Sequence, residues 1–197
     1  MKKVAWGMAF YMLSGPIVLL LMMALTMLPL SMLSGNVIYY GSILIPGLAS
    51  AGGFYLLMRG AEELGYGGNV EWVRKISMVL AAYGLAETVL YVLDLMPDLG
   101  FVNIILGYVY SLGGFLAVYM MTISMAEIQM FRRIDLYAQD LQKWFTIWVV
   151  AGFVGSLIPA LGMLTALVEL AAAVVMVVYF FRAAKNYGDG SGNYRVM

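Results

Sequence analysis

The chain of 197 residues is 63% hydrophobic and 11% charged, with a mean hydropathy of +0.91, far from the roughly 25% charged residues of a soluble domain. Eleven basic and eleven acidic residues give a formal net charge of zero, so no basic field exists to draw nucleic acid and that partner class is set aside. Cysteine and histidine are both absent, which removes disulfides, thiolate nucleophiles, imidazole bases and the commonest metal ligands.

Apolar runs of about 20 residues recur, each long enough to cross a hydrocarbon layer as a helix, and they predict an all-α integral membrane protein. The first runs from Ala5 to Leu28 behind Lys2 and Lys3. It is longer than the roughly 7–15 residues of a secretory h-region and lacks a small-residue cleavage site, so it reads as a retained span. The second covers Val37 to Leu57, the third Ile76 to Leu95 and the fourth Phe101 to Ala126. Pro16 and Pro46 fall inside spans and should kink them, since each removes a backbone donor. A fifth, Trp144 to Leu157, is separated by the stretch IPALG from a sixth, Leu161 to Phe181. The alternative to a turn there is one broken or re-entrant helix in place of the last two spans.

The connections differ in charge. Lys2 and Lys3, then Arg59, Arg74 and Lys75, then Arg132, Arg133 and Lys143, then Arg182, Lys185 and Arg195 all fall on one side, whereas PLSMLSGN, MPDLG and PALG carry no base. Basic residues resist translocation, so the expected arrangement is three helical hairpins with both termini cytoplasmic, in the cell membrane. All four tryptophans, Trp6, Trp72, Trp144 and Trp148, share that side, as an interfacial belt would place them, with Tyr39, Tyr40 and Tyr91 opposite. The transmembrane domain is expected over 1–184. Within it, residues 127–143 place Ile128, Phe131, Ile134, Ala138 and Leu141 on one face, the pattern of an amphipathic helix lying on the cytoplasmic interface. Residues 185–197 are glycine-rich and expected to form a flexible tail.

Little hydrophobic gain drives helix pairing in lipid, so small residues four apart mark candidate contact faces. These are Gly47 with Ala51, Ala82 with Ala86, Gly107 with Ser111, and Ala151 with Gly155. The seventeen methionines, with no cysteine or histidine beside them, read as flexible filler rather than a soft-metal site. The glycines of RGAEELGYGGNVEWVRK do not have phosphate-binding spacing, and the tail departs from a calcium loop at Tyr194. No metal or cofactor is expected.

Two acids stand out. Glu87 shares a helical face with Tyr83, Tyr91 and Asp94; Glu169 lies near Thr165 on the sixth span; the fourth offers Tyr108, Ser111, Tyr119 and Thr122. Glu87 is twelve positions past Lys75 and Glu169 thirteen before Arg182, which puts both about 18–20 Å from the basic ring. With no base at that level, each should stay protonated or meet a cation or water. One reading makes Glu87 and Glu169, with Tyr83, Tyr91 and Asp94, a proton or monovalent-cation site in a small transporter or channel. The plainer reading makes each a neutral donor that glues helices together. An enzyme is disfavoured, because hydrolytic chemistry in the membrane would need a base or ligands the chain lacks. The other class is a non-catalytic subunit or scaffold. Expected partners are the lipid bilayer and a homo-oligomer or larger membrane complex, and no substrate is legible.

Overall fold

The computed structural model describes residues 1–27, 35–65, 67–93, 95 and 101–189. Among these are six α-helices and no strand: α1 Lys2–Met27, α2 Gly35–Leu64, α3 Gly68–Val92, α4 Phe101–Arg132, α5 Ala138–Leu157 and α6 Gly162–Asp189. Four segments, Ile43–Leu64, Gly68–Val92, Phe101–Arg132 and Gly162–Gly188, are long and apolar enough to cross a membrane. α1 and α2 run on as helix through Pro16 and Pro46.

All six helices outrun their apolar segments at the charged end: α1 starts at Lys2, α2 reaches Leu64, α3 starts at Gly68, α4 reaches Arg132, α5 starts at Ala138 and α6 reaches Asp189. Hydropathy reports where lipid contact stops, not where the backbone stops coiling. Here the coil continues because charged side chains pair along it, Arg59 with Glu62 at 2.8 Å, Arg74 with Glu71 at 2.6 Å and Lys75 with Glu71 at 3.5 Å. Residues 185–189, expected as tail, are therefore the last turn of α6, while 190–197 lie outside the described residues. α2 ends where Gly65 takes a φ of 63° and its N–H returns to the Ala61 carbonyl, a left-handed cap that glycine adopts at least cost.

The stretch 127–143 is not one helix. Residues 127–132 finish α4, 133–137 form a turn, and α5 begins at Ala138. Arg133 and Tyr137 adopt positive φ of 53° and 56°, and the Gln129 side-chain carbonyl accepts the N–H groups of both Leu136 and Ala138. Leu136 and Leu141 are fully buried and Ile128, Ile134 and Ala138 nearly so. The apolar face is satisfied by the bundle itself, which leaves Phe131 as the exposed member at 78%. Between α5 and α6 a 3₁₀ turn, Pro159–Leu161, separates two helices that pack on one another, so IPALG is a true break.

The most extensive packing joins α1 to α2, α2 to α3 and α5 to α6, and α6 also returns to α1. The core draws on the N-terminal parts of α1, α3 and α5 and the C-terminal parts of α2, α4 and α6: Val4, Met8, Phe54, Leu57, Val73, Met121, Met125, Leu141, Met176 and Phe180 are among its fully enclosed members. Four of these are methionines, whose unbranched thioether chains adapt well to an irregular interior. Trp144 and Trp148 pack against this core, whereas Trp6 and Trp72 stand exposed at 52% and 57%.

Candidate functional site

α2 approaches its neighbours through glycine. A Cβ on Gly7 would sit 2.7 Å from the Gly53 carbonyl oxygen, one on Gly60 would sit 2.7 Å from the Val4 nitrogen, and Gly47 is filled by the Thr88 side chain. On α3 the inward stripe is Ser77, Leu80, Gly84 and Thr88, with Gly84 beside Ala51. Ala82 and Ala86 are two positions away from that stripe, about 200° round the helix, and lie exposed. On α4, Gly107 and Ser111 are exposed as well, and a Cβ on Gly107 would meet nothing within 4 Å among the described residues. Close approach happens instead at Gly113, against Leu80, and at Gly114, against the Tyr11 ring and hydroxyl. Ala151 is buried, and Gly155 of α5 meets Thr165 of α6.

These contacts hold a line of aromatic and polar groups across four helices. Tyr11 and Phe54 rings lie 4.5 Å apart, Phe54 and Tyr110 5.8 Å, and Tyr110 and Tyr83 5.3 Å. The hydroxyls of Tyr110 and Ser50 share a hydrogen bond of 2.9 Å. At the end of the line the Tyr83 hydroxyl donates to Glu87 Oε1 over 3.4 Å. Glu87 is half-buried, neither sealed in the core nor displayed to lipid. The nearby Thr88 hydroxyl donates to its own helix at the Gly84 carbonyl, 2.6 Å, and so is already satisfied without competing for the carboxyl group.

Glu169 is also half-buried but sits elsewhere, on α6 against Gly152 of α5, where a Cβ would be 3.5 Å from its Oε1. α3 packs on α2 and α4, and α6 on α5 and α1, so the two acids belong to different helix pairs. Tyr91 is exposed at 38%, and Asp94 lies outside the described residues. The expected polar ladder on α4 is split: Tyr108 and Tyr119 are 69% and 45% exposed, Thr122 is buried, and Ser111 and Thr122 donate to carbonyls of their own helix. Tyr110, Ser50 and Tyr11 take that role instead. Their sequence signal is proximity to close-contact glycine, Tyr110 lying four residues before Gly114 and Tyr11 four after Gly7.

Chemically, this arrangement can hold a carboxyl group in either protonation state. Neutral Glu87 needs only an acceptor, while ionised Glu87 can take hydrogen bonds from phenols that pivot about their C–O bonds. Among the described residues no three acidic side chains gather as a metal site would require. No protein-family model matches this chain, and no curated protein and no solved structure matches it.

Proposed function

We propose that the chain crosses the cell membrane six times as three helical hairpins with both termini cytoplasmic, and that it moves protons or a small monovalent cation past Glu87. The hairpin reading is supported by contacts in opposite chain directions: Gly7 with Gly53 and Val4 with Gly60, Gly84 with Tyr110 and Leu80 with Gly113, Gly155 with Thr165 and Gly152 with Glu169. Cytoplasmic termini are supported by the bases, which gather at the end where the core lies.

The observation that carries the transport reading is the Tyr83 hydroxyl on Glu87, backed by Tyr110 and Ser50. An acid in the membrane is costly, and one edged by rotatable hydroxyl donors and left half-open can exchange a proton without a buried base. Glu169 is a second acid on a separate helix pair, and the working site is centred on Glu87 alone. In liposomes loaded with a pH-sensitive dye, the wild-type protein should pass protons or carry a cation against them, and Glu87→Gln should reduce that flux at least tenfold without loss of folded protein. Glu169→Gln should reduce it less. Wild-type vesicles no leakier than empty ones, or full flux with Glu87→Gln, would refute the reading.

A scaffold role has its own supporting observation. Met130 and Phe131, at the charged end, are 73% and 78% exposed, and Phe131 lines a hollow of about 310 Å³ with Gly67, Glu127, Ile128 and Arg132. If this face docks a membrane partner, Phe131→Asp should abolish co-purification and leave flux untouched. The chain has no native cysteine, so single cysteines placed at Arg133 and Lys185 report the sidedness of this end directly by impermeant labelling.

A further inference from the structure

A second groove, about 420 Å³, runs between the start of α1 and the end of α6, lined by Lys2, Trp6, Phe181, Ala184, Lys185 and Gly188. Lys2 and Trp6 are one turn apart on α1, and Phe181, Lys185 and Gly188 follow one face of α6 at spacings of four and three. Both lysines are exposed at the charged end, and one turn deeper the Trp6 ring meets Phe181 edge-on at 5.0 Å and Phe10 at 6.0 Å. Ala184 and Gly188 keep the seam open between the two ammonium groups because neither carries a side chain long enough to fill it.

Three acids of this end pair with other bases: Glu63 with Lys3, Glu62 with Arg59 and Arg74, and Glu71 with Arg74 and Lys75. Lys2 and Lys185 enter none of the ion pairs formed among the described residues. We infer that this seam binds the headgroup of an anionic phospholipid, the phosphate between Lys2 and Lys185 and the upper acyl chains against Trp6, Phe10 and Phe181. Two lysines alone would suit any small anion. What selects a lipid is the run of aromatic surface below them, with Trp6 52% and Phe10 44% exposed along the direction in which a chain would descend. The inference rests on the membrane reading of the helices and is independent of proton movement at Glu87.

The test reconstitutes the full chain in phosphatidylcholine nanodiscs doped with phosphatidylglycerol and measures the lipids retained after extraction by native mass spectrometry. The wild type should retain phosphatidylglycerol selectively, and Lys2→Gln with Lys185→Gln should weaken that retention about thirtyfold, the effect of two lysines at a lipid surface. Arg133→Gln with Lys143→Gln, which removes the same charge from the same end, should leave it unchanged. Lys2→Arg with Lys185→Arg should bind as the wild type does, which separates a charge effect from misfolding. Equal loss in the Arg133 and Lys143 control, equal retention of phosphatidylcholine, or displacement of phosphatidylglycerol by inorganic phosphate would each overturn the assignment. Failure of the chain to enter nanodiscs at all would instead refute the membrane reading.

Discussion

Around Phe54, Val73 and Met121 the helices close until those side chains have no exposure, whereas further along the same bundle Phe101, Leu112, Met163 and Leu167 are between 60% and 84% exposed. The residue types hardly differ. What differs is glycine: α1 and α2 touch backbone to backbone at Gly7, Gly53 and Gly60, and α4 is pierced by Tyr11 at Gly114, while Gly107 has nothing within 4 Å. In lipid an apolar side chain gains little by turning inward, so close packing forms where backbones can meet and side chains elsewhere simply face the solvent they already suit. The two half-buried acids sit toward the less enclosed part of the bundle, Glu87 at the edge of the aromatic line and Glu169 on the open stretch of α6.

This contrast can be broken hardest at Gly7. Gly7→Val forces carbons into the Gly53 carbonyl and the Leu57 backbone, and should leave no monodisperse protein on size-exclusion chromatography. Next comes Phe54→Ala, expected to cost about 3 kcal/mol in detergent unfolding, the low end of the large-to-small range, because lost packing counts here more than lost burial from water. Tyr110→Phe removes the bond to Ser50 and should cost about 0.6–1.7 kcal/mol, with a Ser50→Ala cycle showing that the two losses do not add. Leu112→Ala, on the exposed half of α4, should fall within about 0.5 kcal/mol of wild type. A loss at Leu112 as large as that at Phe54 would show that the open half is covered in solution, by a second copy or another membrane protein.

Much of the architecture was legible because long apolar runs have few physical solutions: the six helices all coincide with runs read from the sequence. Which face of each helix points inward was harder. For a soluble helix the polar side declares the surface, but Ala82, Ala86 and Leu85 are apolar like Leu80, so spacing alone did not single out the stripe that faces inward within this chain. Gly47 and Gly155 were recognisable because a missing side chain means something has come close, and Thr88 and Thr165 occupy the space. Glu87 with Tyr83 was legible as an i−4 pair, while Ser50 and Tyr110, sixty residues apart in sequence, meet only through the fold. Residues 127–143 misled for a similar reason: an amphipathic pattern states that one face is buried, not whether lipid or protein buries it.

The turn at 133–137 has a practical consequence for anyone marking this molecule. In sequence it has the polar look of a generous connecting loop, yet Leu136 is plugged into the floor of the bundle, Gln129 fastens the backbone on either side, and Asn186 holds the Asp135 carbonyl from α6 at 2.9 Å. An epitope or fluorescent reporter inserted there would pull the stopper out and measure the damage rather than the topology.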